Sequence, residues 1–332
     1  MPEFRKDPVV DRWVILATDR AKRPQHDAGK NEPAGADPCP FCAGNEAMTP
    51  PAVLTYNSDD LDSNIATWSV RVVPNKYPAL VNQGSWSGQS SNIYQTMSGL
   101  GVHEVIIEAP EHVVNMGTLS EKQLKQILRA YRDRIVELRN DQRWRSILIY
   151  KNHGAEAGAT LEHIHSQLIA LPIVPPAIQE EVDSAKNYHD ANSGCVYCAL
   201  IGREMGAQSR IVAQTERFIV FCPYASRFPY ETWILPKQHA PCFEYGSEED
   251  YTDLARSLRA TLVRLNRRIE NPPFNYFIHS NPLGEAVNAY YHWHIEILPK
   301  LSQVGGFEWG SGAYINSVAP EDAARQLREA TL

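Results

Sequence analysis

Two short histidine runs carry the strongest chemical signal in this chain of 332 residues: His163-Ile-His165-Ser-Gln167 and His292-Trp-His294-Ile-Glu296. Each leads into an apolar stretch that reads as a strand. A strand has period two, so His163, His165 and Gln167 share one face, with i and i+2 neighbours roughly 6.6 Å apart. An imidazole of ordinary pKa, ~6.5, is largely neutral near pH 7 and attacks phosphorus without prior help. The phosphoramidate it forms leaves readily, which divides one transfer into two steps. An uncharged glutamine two residues on offers an N–H to crowded phosphoryl oxygens. The second run ends in Glu296, whose charge would repel a phosphate. That copy reads as structural, and His294 is given no role.

Four of the six cysteines form C-x-x-C pairs, Cys39-Pro-Phe-Cys42 and Cys195-Val-Tyr-Cys198. Two thiolates on one tight turn, joined by histidine nitrogen, suit tetrahedral Zn²⁺. In the first half the further ligands are His112 and one of His163 or His165. In the second they are His239 and one of His292 or His294. Ligands so far apart are brought together by the fold, unlike those of a compact zinc finger. Cys222 and Cys242 lack such partners and read as ordinary half-buried residues.

The order of these elements repeats. A C-x-x-C comes first, then an apolar run closing on proline and histidine (HEVIIEAPEH, YETWILPKQH), then His-x-His entering a strand. His112 to His163 spans 51 residues and His239 to His292 spans 53. ILIYKNHGAEA before the first pair resembles YFIHSNPLGEA before the second. An internal duplication follows.

The elements that must hold these residues also recur. Ser120-Glu-Lys-Gln123 has the form of a capping box, followed by apolar residues at helical spacing from Leu124 to Leu138. Ser247 opens a second helix carrying Leu254, Leu258, Leu262 and Leu265. VIIEA, SILIY, FIVF, TWIL and YFIH read as strands. The segment Glu180 to Gly194, rich in charge and Asn, reads as a linker. Gln25 to Asp37 and Asn82 to Ser91 read as polar loops.

With 43% hydrophobic and 21% charged residues the chain has the makings of a buried core. A net charge of -7 argues against a broad nucleic-acid surface, which needs clustered Lys and Arg. The opening MPEFRKDPVVDRW has no apolar core of signal-peptide length, and no stretch approaches the ~20 apolar residues of a membrane span. A soluble cytoplasmic protein is the expectation.

Taken together, these residues resemble the galactose-1-phosphate uridylyltransferase branch of the histidine-triad superfamily over nearly the full chain. Asp19-Arg20-Ala21-Lys22-Arg23-Pro24 is similar to that family's phosphate-contacting stretch, which implies substrate roles for Arg20 and Arg23. Cys39, Cys42, His112 and His163 fall on its structural zinc ligands. By the alignment of the halves, Cys195, Cys198, His239 and His292 would form a second site. Asn75-Lys-Tyr-Pro78 falls where the family holds the nucleoside. Asn152, Gly158 and Thr160 match the loop lining the α-phosphate. His165 falls on the nucleophile and Gln167 on its partner glutamine. Gly306-Phe-Glu308 resembles the motif whose glutamate binds sugar hydroxyls, and the resemblance implies a homodimer in which that motif serves the neighbouring active site.

The implied fold is α+β: two tandem histidine-triad-like units, residues 1–180 and 195–332, each a mainly antiparallel sheet with packed helices. The implied reaction is UDP-glucose:hexose-1-phosphate uridylyl transfer, ping-pong through a nucleotidyl-histidine, with galactose 1-phosphate as acceptor and Zn²⁺ as cofactor. Two departures stand out: Ile164 replaces the proline of the family's His-Pro-His, and Tyr314-Ile-Asn316 stands where a sugar-binding glutamine is expected. Both suit relatives that act as ADP-glucose phosphorylases, the second reading. A non-catalytic zinc-dependent module that senses nucleotide sugars is a third.

Overall fold

The computed structural model describes residues 1–10, 12–22, 38–57, 67–84, 87–284 and 289–330. The first half contains strands β1 (Glu3–Lys6), β2 (Trp13–Leu16), β3 (Leu54–Asn57), β4 (Trp68–Pro74), β5 (Gly88–Ser91), β6 (Tyr94–Ser98) and β7 (Val102–Ile107). Helix α1 (Glu121–Leu138) follows, then β8 (Ser146–His153) and β9 (His165–Leu171). Helices α2 (Pro176–Asn192) and α3 (Val196–Ala207) lead into β10 (Ile211–Gln214), β11 (Phe218–Phe221) and β12 (Thr232–Pro236). The chain then runs through α4 (Glu248–Ile269), β13 (Phe274–His279), β14 (His294–Pro299), α5 (Gly306–Ser311) and α6 (Pro320–Glu329).

Ten of these strands form one sheet, in the order β10-β11-β12-β14-β13-β8-β9-β7-β4-β3. Every named pairing within it is antiparallel. Counted outward from the β13–β8 seam, the halves run β13, β14, β12, β11, β10 and β8, β9, β7, β4, β3. The connectivity is the same on both sides, with one long helix between the third strand out and the seam strand. The fold is thus α+β, and the two units share a single sheet. A four-stranded sheet, β2-β1-β6-β5, is separate.

Strand register corrects one detail of the repeat. Tyr150 pairs with Gln167, whereas Phe277 pairs with Glu296. Tyr150 therefore corresponds to Phe277, and the seam strands are offset by two residues from the alignment of ILIYKNHGAEA with YFIHSNPLGEA. The cause is a second-half loop before the histidine pair that is two residues longer.

Both helix starts fall where the sequence places them. Ser120 accepts from Gln123 N, but the Gln123 side chain does not complete the box. Its amide instead donates to the carbonyls of Ser69 and Glu108, tying α1 to the sheet edge. Ser247 and Asp250 form the complete box on α4. The segment expected as a linker is helix α2, with Ile178, Val182 and Ala185 buried. Apolar residues at i, i+4 and i+7 give it a stripe that the surrounding charge masks. Residues 88–91 pair with β6 as an edge strand and are not loop. The polar tract Gln25 to Asp37 lies outside the described residues.

The main core lies on one sheet face. Leu124, Ile127, Leu128 and Tyr131 of α1 and Leu254, Leu258 and Leu262 of α4 pack there with Val72, Ile106, Leu168, Ile234 and Ile295. Each such side chain contributes about 1.5–3 kcal/mol by burial. The opposite face is covered differently in the two halves. The small sheet brings Phe4 and Met97 over Ile169 and Leu171, while α2 and α3 bring Ala185, Tyr197 and Ile201 over Ile219, Phe221 and Leu235. Strand alternation in β9 sends Leu168 and Ala170 to the helices and His165 and Gln167 to the other face. Among the described residues no helix is long and apolar enough to cross a membrane.

Candidate active site

His165 is the first residue of β9; His163 lies just before the strand rather than in it. The His165 ring is 6% exposed. Its Nδ1 lies 2.8 Å from the His163 carbonyl. A carbonyl only accepts, so Nδ1 carries the proton and Nε2 holds the lone pair. Burial lowers the pKa to about 4, partly opposed by the bond to the His163 carbonyl. Phe41, inside the first C-x-x-C, sets its ring 5.2 Å from that of His165.

A buried polar network backs the strand on its helix side. Lys151 Nζ donates to the His165 carbonyl at 2.9 Å and forms an ion pair with Glu108. Glu108 also accepts from Tyr131 at 2.6 Å and from Ser166. Tyr276, from the second half, joins through Tyr131 at 2.5 Å. Such a network is stable only when its members are satisfied, as these are. Nothing in the sequence marked Lys151 or Glu108, because each sits in a run that reads as plain strand.

Gln167 Oε1 collects three donors: His103 Nε2 at 2.9 Å, Tyr150 Oη at 3.0 Å and Asn75 Nδ2 at 3.5 Å. Asn75 is held by Tyr77 N, which donates to its Oδ1 at 2.8 Å. Arg20 Nη1 donates to the Tyr77 carbonyl at 2.7 Å, fixing the same turn. Arg23 lies outside the described residues. Asn152, at the end of β8, donates to the Gly158 carbonyl at 3.4 Å and accepts from Asn275 at 2.8 Å. Gly158 has φ +89°, and Gly154 has φ +81° with space for a Cβ only 2.8 Å from Pro273. Both glycines are therefore required for this loop, in which Thr160 follows.

The structure thus links Arg20, Asn75 and Gln167 through contacts, sets His165 two residues before Gln167 on the same strand, and joins Asn152 near the end of β8 to Gly158 in the following loop. It does not bring Glu308 to them within one chain. Glu308 caps its own short helix by accepting from Gly305 N at 2.9 Å. The segment after that helix is anchored on the second half, where Asn316 donates to the Ser226 carbonyl at 3.0 Å.

Among the described residues three clusters could hold a metal ion: Cys39, Cys42, His112 and His163; Cys195, Cys198, His239 and His292; and Glu181, His279, His294 and Glu296. In the first, His163 Nε2 donates to the Ala109 carbonyl at 2.8 Å, which turns Nδ1 toward both sulfurs at 3.6 Å. In the second, His292 Nε2 donates to the Pro236 carbonyl at 3.0 Å, with Nδ1 3.7 Å from Cys198 Sγ. A histidine that holds metal is commonly oriented in this way by its other nitrogen. Burial and the neighbouring thiol raise Cys42 to about 11 and Cys198 to about 12.

Sequence reasoning missed the third cluster. His294 Nε2 lies 3.5 Å from Glu296 and 3.9 Å from Glu181, and His279 Nδ1 lies 2.8 Å from Glu181. The signal was hidden because Glu181 belongs to the stretch read as a linker. Burial opposes the charged form of His294, yet the Glu296 and Glu181 carboxylates outweigh it and raise its pKa.

An α+β fold with a buried histidine two residues before a glutamine, and with a Cys/His cluster in each half of one sheet, is the arrangement to compare with known enzymes. A family model described as galactose-1-phosphate uridyl transferase, N-terminal domain, matches residues 1–175. A domain family of unknown function matches residues 100–331. The chain is 38% identical to ADP-glucose phosphorylase of Arabidopsis thaliana, covering 100% of this chain and 93% of the relative. It is 28% identical to galactose-1-phosphate uridylyltransferase of Thermotoga maritima, covering 99% and 98%. A crystal structure of an Arabidopsis thaliana ADP-glucose phosphorylase with bound ADP-glucose superposes with a TM-score of 0.78 at 35% identity, covering 100% of this chain and 99% of that one. The chain belongs to the galactose-1-phosphate uridylyltransferase family and is an enzyme of nucleotidyl transfer.

Proposed function

We propose that this chain moves a nucleoside monophosphate from a nucleotide sugar to a phosphate acceptor through His165. The observation that carries the reading is the tautomer: His165 Nδ1–H is committed to the His163 carbonyl, so Nε2 is the free lone pair. Nε2 bonds to the α-phosphorus and the bond to the sugar phosphate breaks, releasing sugar 1-phosphate. An acceptor phosphate oxygen then attacks the same phosphorus and the P–N bond breaks, restoring the imidazole. Gln167 serves the phosphoryl oxygens. Arg20, Arg23 and Asn75 serve the nucleotide, and Asn152, Gly158 and Thr160 line the α-phosphate. Glu308 serves the sugar of a neighbouring copy in a homodimer, a reading supported by the family resemblance alone. The units 1–180 and 195–332 are read as products of one duplication.

Zinc suits both Cys₂His₂ clusters. Zn–S of about 2.3 Å and Zn–N of about 2.0–2.1 Å on a tetrahedron separate S from N by about 3.6 Å. The S···N distances are 3.6, 3.4 and 3.6 Å in the first cluster and 3.4 and 3.7 Å in the second. The ion supplies structural cross-linking at Cys39, Cys42, His112 and His163, and again at Cys195, Cys198, His239 and His292.

Two substrate readings share this covalent step. Uridylyl transfer from UDP-glucose to galactose 1-phosphate is supported by the family and by the Thermotoga relative. Phosphorolysis of ADP-glucose is favoured by the higher identity, 38% against 28%, and by Ile164 in place of proline. Incubating the protein with each nucleotide sugar and measuring intact mass decides between them. A uridylyl or an adenylyl adduct that maps to His165 is expected. An adduct on another residue, or none from either sugar, defeats the reading.

A further inference from the structure

His103 stands on β7, 5% exposed, and belongs to none of the metal clusters. Its Nδ1 lies 2.9 Å from the backbone nitrogen of Ala79, which donates to it. A backbone N–H has no acceptor capacity, so Nδ1 must present its lone pair. The proton of the neutral ring therefore sits on Nε2. That N–H points at Gln167 Oε1 at 2.9 Å. Were the Gln167 amide turned over, an NH₂ would face an N–H, donor against donor. Tyr150 Oη at 3.0 Å and Asn75 Nδ2 at 3.5 Å converge on the same oxygen; they also lie 3.4 and 3.2 Å from His103 Nε2, so three donors crowd around one acceptor. Asn75 is itself fixed, since Tyr77 N occupies its Oδ1. The Gln167 amide nitrogen makes no hydrogen bond among the described residues.

We propose that His103 is a positioning residue for nucleotidyl transfer, locking the Gln167 amide so that its N–H groups, not its carbonyl, face the phosphorus attacked by His165. The role rests on the transfer reading above. An amide turns over with almost no change in its own energy, and the wrong face sets a carbonyl dipole against phosphoryl oxygens. The chain of constraint runs from a backbone N–H through one imidazole to one amide. Each link is assigned from which atom can donate.

The test uses the full chain and the nucleotide sugar that labels it. His103→Phe is expected to slow single-turnover labelling of His165 about tenfold or more, with KM little changed, since one preorganised donor is worth that much or more. His103→Gln, which keeps an acceptor and a donor, is expected to recover most of the rate. In a Gln167→Ala background, His103→Phe is expected to cost less than about threefold, because a residue that acts through Gln167 has nothing left to act on. Costs that multiply, or a wild-type rate in His103→Phe, overturn the role while leaving the transfer reading intact. Absence of any adduct on the wild-type protein defeats the transfer reading and this role with it. Should His103→Phe fail to fold, selective nitrogen labelling of histidine in the wild-type protein decides by NMR. A proton on Nε2 of His103 supports the lock, and a proton on Nδ1 overturns it.

Discussion

The two halves of the sheet hold the same frame and opposite electrostatics. Around Gln167 stand His103, Tyr150 and Asn75, all giving protons to a neutral amide. Around Glu296 stand carboxylates and a guanidinium: Arg227 pairs with Glu296 and, at 2.9 Å, with Glu231. Strand register makes the correspondence concrete. Val105 pairs with Gln167 and Trp233 with Glu296, so the two-residue step back along each strand places His103 where the second half has Glu231. In the first half the small Val105 stands across from Gln167, and Phe41 sets its ring 5.2 Å from the buried His165. In the second half Trp233 stacks on His294, with centroids 5.1 Å apart, while Tyr197, which holds the place of Phe41, stands at the same 5.2 Å. The two histidine surroundings thus differ in one large side chain, Trp233 where the first half has Val105, and in one charge, Glu296 where it has Gln167.

The largest expected break in this comparison is His165→Ala, which removes the covalent route while His294 stays buried. Nucleotidyl transfer should fall by about 10³-fold or more, with fold and metal content kept. A substantial residual rate would mean that another group carries the nucleotide. Gln167→Glu comes next, since it imports the second half's charge into the first. A loss of about 10²–10³-fold in turnover is expected, and near-normal turnover would show that the amide does not meet phosphoryl oxygens.

Stability separates the halves in turn. Cys39→Ser should release the first metal ion and unfold the protein at lower temperature, because a structural zinc contributes folding energy outright. Metal analysis of the purified chain checks the premise: fewer than one zinc per chain defeats it. Arg227→Met leaves Glu231 and Glu296 buried without their cation, which costs about 3 kcal/mol. Denaturant unfolding measures it, and no shift would show that the carboxylates find other partners. The smallest effect should be that of His294→Gln on transfer, within about twofold; a larger loss would give the second half a share in the chemistry.

Much of the site was legible from residue types alone. C-x-x-C, proline–histidine and His-x-His-x-Gln keep their order in both halves, and the structure brings each set together as a cluster. The helices at Ser120 and Ser247 were legible because caps are local signals. Glu181, Lys151 and His103 were not. Glu181 lay in a charged stretch whose apolar stripe shows only once α2 is laid on the sheet. His103 and Lys151 look like polar interruptions of strands, and their meaning depends on which atoms the neighbouring strands present.

The sequence by itself determined the repeat and most of the strands and helices, and it singled out the His-x-His-x-Gln run, because these follow from periodicity and from side-chain chemistry. Only the tertiary structure decided that the two units share one ten-stranded sheet, since pairing across the β13–β8 seam depends on backbone hydrogen bonds that no side-chain pattern encodes. It also decided what surrounds each histidine. His165 and His294 have the same local sequence frame. They differ in that Trp233 stacks on His294, whereas the matching position across from Gln167 is Val105, residues brought there by strand register across more than fifty positions of chain.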